Sequence, residues 1–394
     1  MKHLILLALL LIVGKSVAQN PVTLSDSARV SLMTVAPGEF LYSTFGHSAI
    51  RVFDPANRLD RCYNYGTFDF DQPNFVLKFC RGKLLYFLDI ESCKGFERGN
   101  LLDRRAMTEQ VLNLTREQKQ GLFDLLQENA REENRFYKYD FFYDNCATRI
   151  RDIVEKTFDQ PIVWDSSRLA LGTTMRQLLN PNMACLPWTH FGMNLGLGYA
   201  ADRRASARDF MFLPDHMHDM FATARIDDTT ALVRSERHIP ETAFPAVTYQ
   251  PGFFERPFWV LCLVALLGLL SMLNRYTERV FDTLFWLVLG VAGLILALLW
   301  FATDHSSTKT NFNLLWALPT HLLVFWRSHK EGWIRQYFIV AGTLALLTLI
   351  FWKIIPQEMP VAAMPLAFLA GVKGLRKPVW SWMASRGFPT KKMR

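Results

Sequence analysis

Cysteine and histidine are scarce in this chain, with six of the first and nine of the second among 394 residues. The closest histidine pair, His216 and His218 in "PDHMHD", has no third ligand at suitable spacing. A solvated turn outweighs a metal centre there, and neither a metal nor a cofactor is expected. No internal repeat and no low-complexity tract is present, which sets aside solenoids and disordered arrays. The apolar run near the start is about ten residues long, too short for a comfortable bilayer span. Lys2 precedes it and Ser16-Val17-Ala18 follows in a small-x-small pattern, so residues 1–18 read as a secretory signal. The next residue, Gln19, is not cysteine, and the mature chain is not expected to be a lipoprotein itself.

Acidic residues are absent where the chain is most basic. Seven cations from Lys373 to Arg394 stand with no acid among them, and they account for most of the formal net charge of +8. Upstream, apolar runs cover roughly 257–273, 280–302, 313–326, 336–355 and 359–372, each near bilayer length or slightly short of it. Arg275, Arg279, Arg327, Lys330 and Arg335 fall in alternate loops, and the loops between are poor in Lys and Arg. This positive-inside pattern predicts an all-α bundle of five transmembrane helices over 257–372 in the inner membrane. It also predicts an exported domain over 19–226, a Pro-spaced linker over 227–256 and a basic cytoplasmic tail over 373–394. The basic pI thus reflects membrane topology, and no nucleic-acid partner is expected.

In the exported part, "HSAIRVFD" (47–54) and "RCYNYGTFDF" (61–70) flank a turn-forming stretch and read as a hairpin. "NFVLKFCRGKLLYFLDI" (74–90) reads as two further strands around Arg81-Gly82. "LTREQKQGLFDLLQENAREENR" (114–135) opens with a Thr-x-x-Gln capping box, so a helix is predicted there. Another starts at Cys146, with Ile150, Ile153, Val154 and Phe158 on one face and Asp144 or Asn145 as its cap. The class is α+β, strands first and helices after.

Unpaired N–H groups and the helix dipole at such a start favour a thiolate on Cys146. The exported part holds five histidines, and His47 opens a predicted strand behind Gly46. A strand histidine facing a helix-start cysteine is the geometry of Cys-His hydrolases and acyltransferases. Asn64, across the hairpin, is the best polar group to orient the histidine, ahead of Tyr63 and Tyr65. The residues alone leave two readings of Cys146 open: a nucleophile, or a structural or disulfide cysteine. Five cysteines (62, 80, 93, 146, 185) share the oxidising side; with Cys146 free, the other four allow three pairings, and Cys80–Cys93 closes the shortest loop.

"FGHSAIRVFD", "YNYGTFDFDQPNF", "YDFFYDNCATRIRD" and "FMFLPDHM" together resemble the exported domain of the Lnb-type lipoprotein N-acyltransferases of Bacteroidota. "TDHSSTKTNFNLLWALPTH" (303–321) is similar to that family's polar loop and following span. The resemblance implies a permuted papain-like (NlpC/P60-like) fold, in which the histidine strand precedes the nucleophile helix. It implies an enzyme that moves an acyl chain from a phospholipid donor to the α-amine of a diacylated lipoprotein through a Cys146 thioester. His47 would be the base and Asn64 the third residue. The substrate-binding set would be His305, Asn311, Asn313, Asn145, Tyr143 and His321; the competing readings are that Asn311 and Asn313 cap and anchor the span and that His321 makes a helix–helix hydrogen bond. As a helix, the third span would carry His321 on the order of 12 Å below Asn313. Two other readings compete: a membrane-anchored NlpC/P60-like cell-wall peptidase or amidase, and a non-enzymatic sensor. The five spans argue against the first, and the intact Cys146/His47 pair against the second.

Overall fold

A computed structural model describes residues 22–385 except 168, 171, 228 and 241–248, with the side chains of 377–385 also left undescribed. The expected signal over 1–18 and the last charges of the tail lie outside the described residues. The N-terminal part is built on one antiparallel sheet of seven strands: β1 Arg29–Val35, β2 His47–Asp54, β3 Leu59–Thr67, β4 Leu85–Ser92, β5 Met107–Leu112, β6 Phe136–Lys138 and β7 Val233–Ile239. Their order across the sheet is β6-β4-β3-β2-β1-β5-β7. Alternation decides which face each residue covers. On β1, Val30 and Leu32 join the core under the helices, while Met33 and Val35 join a second core on the other face. Central strands of this kind are apolar on both faces.

The first face is covered by α3 (Arg116–Asn129), α4 (Cys146–Glu155) and α6 (Pro214–Thr223), through Leu122, Leu126, Ile150, Val154 and Phe221. The other face carries α2 (Cys93–Leu102), whose Phe96 packs beside Cys62 and Cys93. The predicted hairpin forms, with Ile50 opposite Tyr63, and Thr115 and Gln118 make the expected capping box on α3. The two strands expected in 74–90 do not both form. Phe75–Cys80 is a helix, α1, entered through Asn74 at φ 59 and followed by Gly82 at φ 65. Only β4 is a strand, and its outer edge is already paired to β6, Leu85 against Lys138, so no edge is left for the apolar residues of 75–80. Part of the expected linker over 227–256 is likewise structure, because β7 pairs along β5 from Leu112 to Met107.

The C-terminal part is helical: α7 (Pro257–Ser271), α8 (Arg275–Phe301), α9 (Trp333–Ile350) and α10 (Met364–Ser385). By length and composition, α8 and α9 are the two described helices fit to cross a membrane, and α7 is shorter at 15 residues. Among the described residues, four of the five expected spans are α-helices. The predicted third helix, 313–326, is a chain of short 3₁₀ turns: Phe312–Leu315, Pro319–Leu323 and Phe325–Arg327. Pro319 removes a backbone donor and blocks a continuous helix. The irregular stretch lies in a groove of α8, where a Cβ on Gly293 would overlap the Ala317 carbonyl. One on Gly290 would come within 2.9 Å of the Leu322 nitrogen.

Lys309 Nζ donates to the Trp300 carbonyl at one end of this stretch, and His329 meets Asp282 at the other. The two ends are separated by about 27 Å of helix axis at roughly 1.5 Å per residue, close to the ~30 Å of a hydrocarbon core. Non-helical backbone is tolerated at that depth when protein covers it, as α8 does here. Beyond it, Lys373 and Arg376 pair with Asp282 and Glu278 of α8. The first two charges of the expected tail thus belong to the helical domain itself.

Candidate active site

Gly46 sets the entry to β2. Its φ is +75, and a Cβ there would stand 2.8 Å from the Val35 carbonyl oxygen, so the turn needs glycine. The chain then leaves His47 at the end of the sheet, opposite Val35. The nucleophile helix is fixed from its own cap. Asn145 Oδ1 accepts the Thr148 N–H at 2.9 Å, and Thr148 Oγ1 accepts the Asn145 N–H at 2.8 Å. Asn145 Nδ2 donates to the Phe141 and Phe212 carbonyls, each at 2.8 Å. Cys146 is therefore the first residue of α4, and it is buried against β2 and β3. Gly66 faces it: a Cβ there would lie 3.5 Å from Cys146 Cβ.

His47 and Cys146 share a hydrogen bond. His47 Nε2 stands 2.6 Å from Asn64 Oδ1, and Asn64 Nδ2 donates to Glu91 Oε1 at 2.8 Å. An amide that spends its N–H on Glu91 presents only its oxygen to the ring. Nε2 must then carry the proton, and Nδ1 is left for the thiol. Burial disfavours charge on both groups, but their mutual attraction opposes it. On Cys146, burial pushes the pKa up; the His47 charge, its hydrogen bond and the backbone N–H groups of Ser48 and Ala147 pull it below the ordinary value. On His47, burial pulls down, while Cys146 and Asn64 hold the ring above its ordinary value. The arrangement favours thiolate and imidazolium, a nucleophile beside a general acid.

The remaining residues of the expected substrate-binding set scatter. Tyr143 is exposed just before the nucleophile, near the guanidinium of Arg203. Asn145 is the helix cap, with its side chain fully engaged. Asn311 and Asn313 are buried, and both donate to the Leu195 carbonyl at the end of α5 (Pro187–Gly196). Asn313 Oδ1 also accepts from Trp316 Nε1. The two clasp the end of α5 to the stretch that follows α8. His305 Nε2 donates to the Phe79 carbonyl at 3.1 Å and lies against Gly82, again joining the two parts. His321 is buried between Trp286 and Phe338 and bonds the Tyr337 hydroxyl at 2.8 Å, an internal contact. His218 meets Asp219 and Glu236.

Two site features escaped sequence reading. Glu91 could be found only once β4 was aligned to β3, and the Ser48 and Ala147 donors are backbone groups. The disulfide joins Cys62 to Cys93 rather than closing the shortest loop, and leaves Cys80 and Cys185 free. Cys62 lies opposite Glu91 on β4, and Cys93 follows that strand's end. The loop bearing Cys146 is also tied to the helical part, since Asp140 Oδ2 accepts from Ser306 Oγ at 2.6 Å.

Residues 21–180 match the family model described as the Lnb N-terminal periplasmic domain. Residues 250–379 match the model of the Lnb transmembrane domain. No curated protein and no solved structure matches the chain.

Proposed function

The chain belongs to the Lnb family, a membrane protein with a periplasmic N-terminal domain, and from that premise we propose that it is a lipoprotein N-acyltransferase. The observation that carries this reading is the Cys146–His47–Asn64 chain of contacts at the sheet end nearest the transmembrane domain. In the first half-reaction, the Cys146 thiolate attacks the ester carbonyl of a phospholipid. A C–S bond forms, the C–O bond breaks, and His47 protonates the departing lysophospholipid oxygen. The Cys146 N–H is a candidate donor to the oxyanion.

In the second half-reaction, the α-amine of a diacylglyceryl-cysteine lipoprotein attacks the thioester. Its proton passes to His47, the C–N bond forms, and the thiolate leaves. No cofactor enters either step. Glu91 and Asn64 act by holding the imidazole. The order of histidine strand before nucleophile helix accords with a permuted papain-like fold, which we include in the proposal. Charge supports an inner-membrane orientation with the C-terminus in the cytoplasm: Arg275, Arg279, Arg327 and Lys330 lie at the end of the helical part opposite the Asn311 clasp.

The test is mass spectrometry of a reporter lipoprotein from cells carrying the wild type, Cys146→Ser or His47→Ala. Loss of the N-linked acyl chain in both variants is expected; its persistence in both would sink the enzymatic reading. A peptidase or amidase would instead leave the reporter unchanged in every strain.

A further inference from the structure

We propose that segment 68–83, with α1 at its centre, dips into the outer leaflet, and that its aromatic side chains guide a phospholipid acyl chain from the bilayer to Cys146. This rests on the acyl-transfer reading above and adds the route by which the donor arrives.

The sheet topology gathers one kind of surface at one place. β1 ends, β2 begins, β3 ends and β4 begins at the same end of the sheet, the end that holds His47. The loops there expose large apolar side chains: Phe40, Leu41 and Tyr42 before β2, and Phe70, Val76, Leu77 and Phe79 between β3 and β4. None of the six residues of α1 is buried. So short a helix with an apolar surface open to water has little to hold it there.

The height of α1 is fixed by its contacts. The Arg81 carbonyl accepts the Asp304 N–H at 2.9 Å, and the Phe79 carbonyl accepts from His305 at 3.1 Å. Asp304 comes just after the end of α8 at Phe301, so α1 lies level with the edge of the transmembrane domain. Its charges suit that level. Lys78, Arg81 and Lys83 belong to the segment; its two acids, Asp69 and Asp71, precede α1, and no acid occurs from 72 to 88. Basic side chains beside exposed aromatics are the composition of segments that rest in a lipid interface.

From α1 an unbroken file of rings runs inward. Phe79 stacks on Phe75 at 6.3 Å, Phe75 lies 5.9 Å from Phe68, and Phe68 is 5.3 Å from Tyr86. Tyr86 stacks on Tyr139 at 4.3 Å. Tyr139 then borders Gly66, where a Cβ would lie 3.3 Å from the Tyr139 ring and 3.5 Å from Cys146 Cβ. Only a glycine separates the last ring from the nucleophile. Aromatic faces give an acyl chain an apolar wall to slide along.

The experiment uses the full chain as Cys146→Ala, reconstituted in vesicles of phosphatidylethanolamine and phosphatidylglycerol doped with a diazirine-tailed phospholipid. After irradiation, peptide mass spectrometry should find adducts within 68–86 at least tenfold above those within 159–166, a stretch whose Val163 is exposed. Equal labelling of the two stretches would overturn the proposal. In the catalytic background, Leu77→Asp should lower the ratio of turnover on vesicle donor to turnover on a water-soluble short-chain ester at least tenfold. An unchanged ratio would also overturn it. The two readings fail separately: adducts in 68–86 together with a Cys146 that is never acylated would keep the lipid contact and refute the acyl transfer.

Discussion

Asn64→Ala removes the one side chain that holds the His47 ring from behind. The contact is short, 2.6 Å from Nε2 to Oδ1, and His47 is raised in pKa partly by that bond. A buried hydrogen bond to a charged group contributes about 1.5–3 kcal/mol. If that energy orients the imidazolium in the transition state, kcat/KM on a reporter lipoprotein should fall roughly ten- to a hundredfold at ~1.4 kcal/mol per factor of ten. The substitution also strips Glu91 of its amide partner, at 2.8 Å, so the upper part of that range is favoured. The electrostatic direction follows. Without Asn64 the imidazolium is less favoured, the thiolate loses attraction, and the Cys146 pKa should rise. Two assays report on this: steady-state acyl transfer, and the pH at which Cys146 becomes reactive toward iodoacetamide. Activity within threefold of wild type, with an unmoved labelling profile, would show that His47 is held by something other than Asn64.

The lowered thiol and the raised imidazole both shift the pair toward thiolate and imidazolium. Labelling of wild-type Cys146 should begin below the pH of ordinary thiols, and His47→Ala should move the onset up, since burial is then opposed only by the Ser48 and Ala147 N–H groups; matching onsets would contradict the pairing. Gly293→Ala should destabilise the transmembrane domain by about 1–3 kcal/mol or more, because the new methyl meets the Ala317 backbone. Gly99→Ala, with nothing near its Cβ position, should leave thermal stability unchanged or slightly raised. Reducing the Cys62–Cys93 bridge, at a sequence separation of 31, should cost roughly 3–4 kcal/mol by loop entropy; protease resistance of the N-terminal domain that is indifferent to reductant would count against that. Asn311→Ala should lower the thermal aggregation temperature, because it opens the clasp and leaves the Leu195 and Gly196 carbonyls short of donors.

Local signals were legible in the sequence where chemistry is local. The capping box at Thr115, the hairpin of β2 and β3, and the helix start at Cys146 each rest on neighbouring residues, and each is present. What failed depended on partners far along the chain. "NFVLKFC" has a strand's composition, but its place at the sheet edge is taken by β6, about sixty residues on in sequence. The 313–326 run has a span's hydropathy, yet Pro319 and the groove at Gly290 and Gly293 make it an irregular strip against α8. The anchoring and binding readings of Asn311 and Asn313 stayed open because a sequence does not show that Leu195 and Gly196 bring carbonyls to meet them. At the site, the His47–Asn64 contact could be anticipated from the hairpin, while Glu91 needed the β3–β4 register.

The most direct measurement follows the acyl chain on purified full-length protein in a single turnover. A phospholipid with an isotopically labelled acyl chain is mixed with the enzyme, and intact mass is read before and after a diacylated lipopeptide is added. The expected result is a lipid-sized, hydroxylamine-sensitive adduct on Cys146 that appears first. It should then disappear as the same label arrives on the lipopeptide's α-amine. Label reaching the amine in Cys146→Ser protein, or an adduct that never passes to the amine, would contradict acyl transfer through this cysteine.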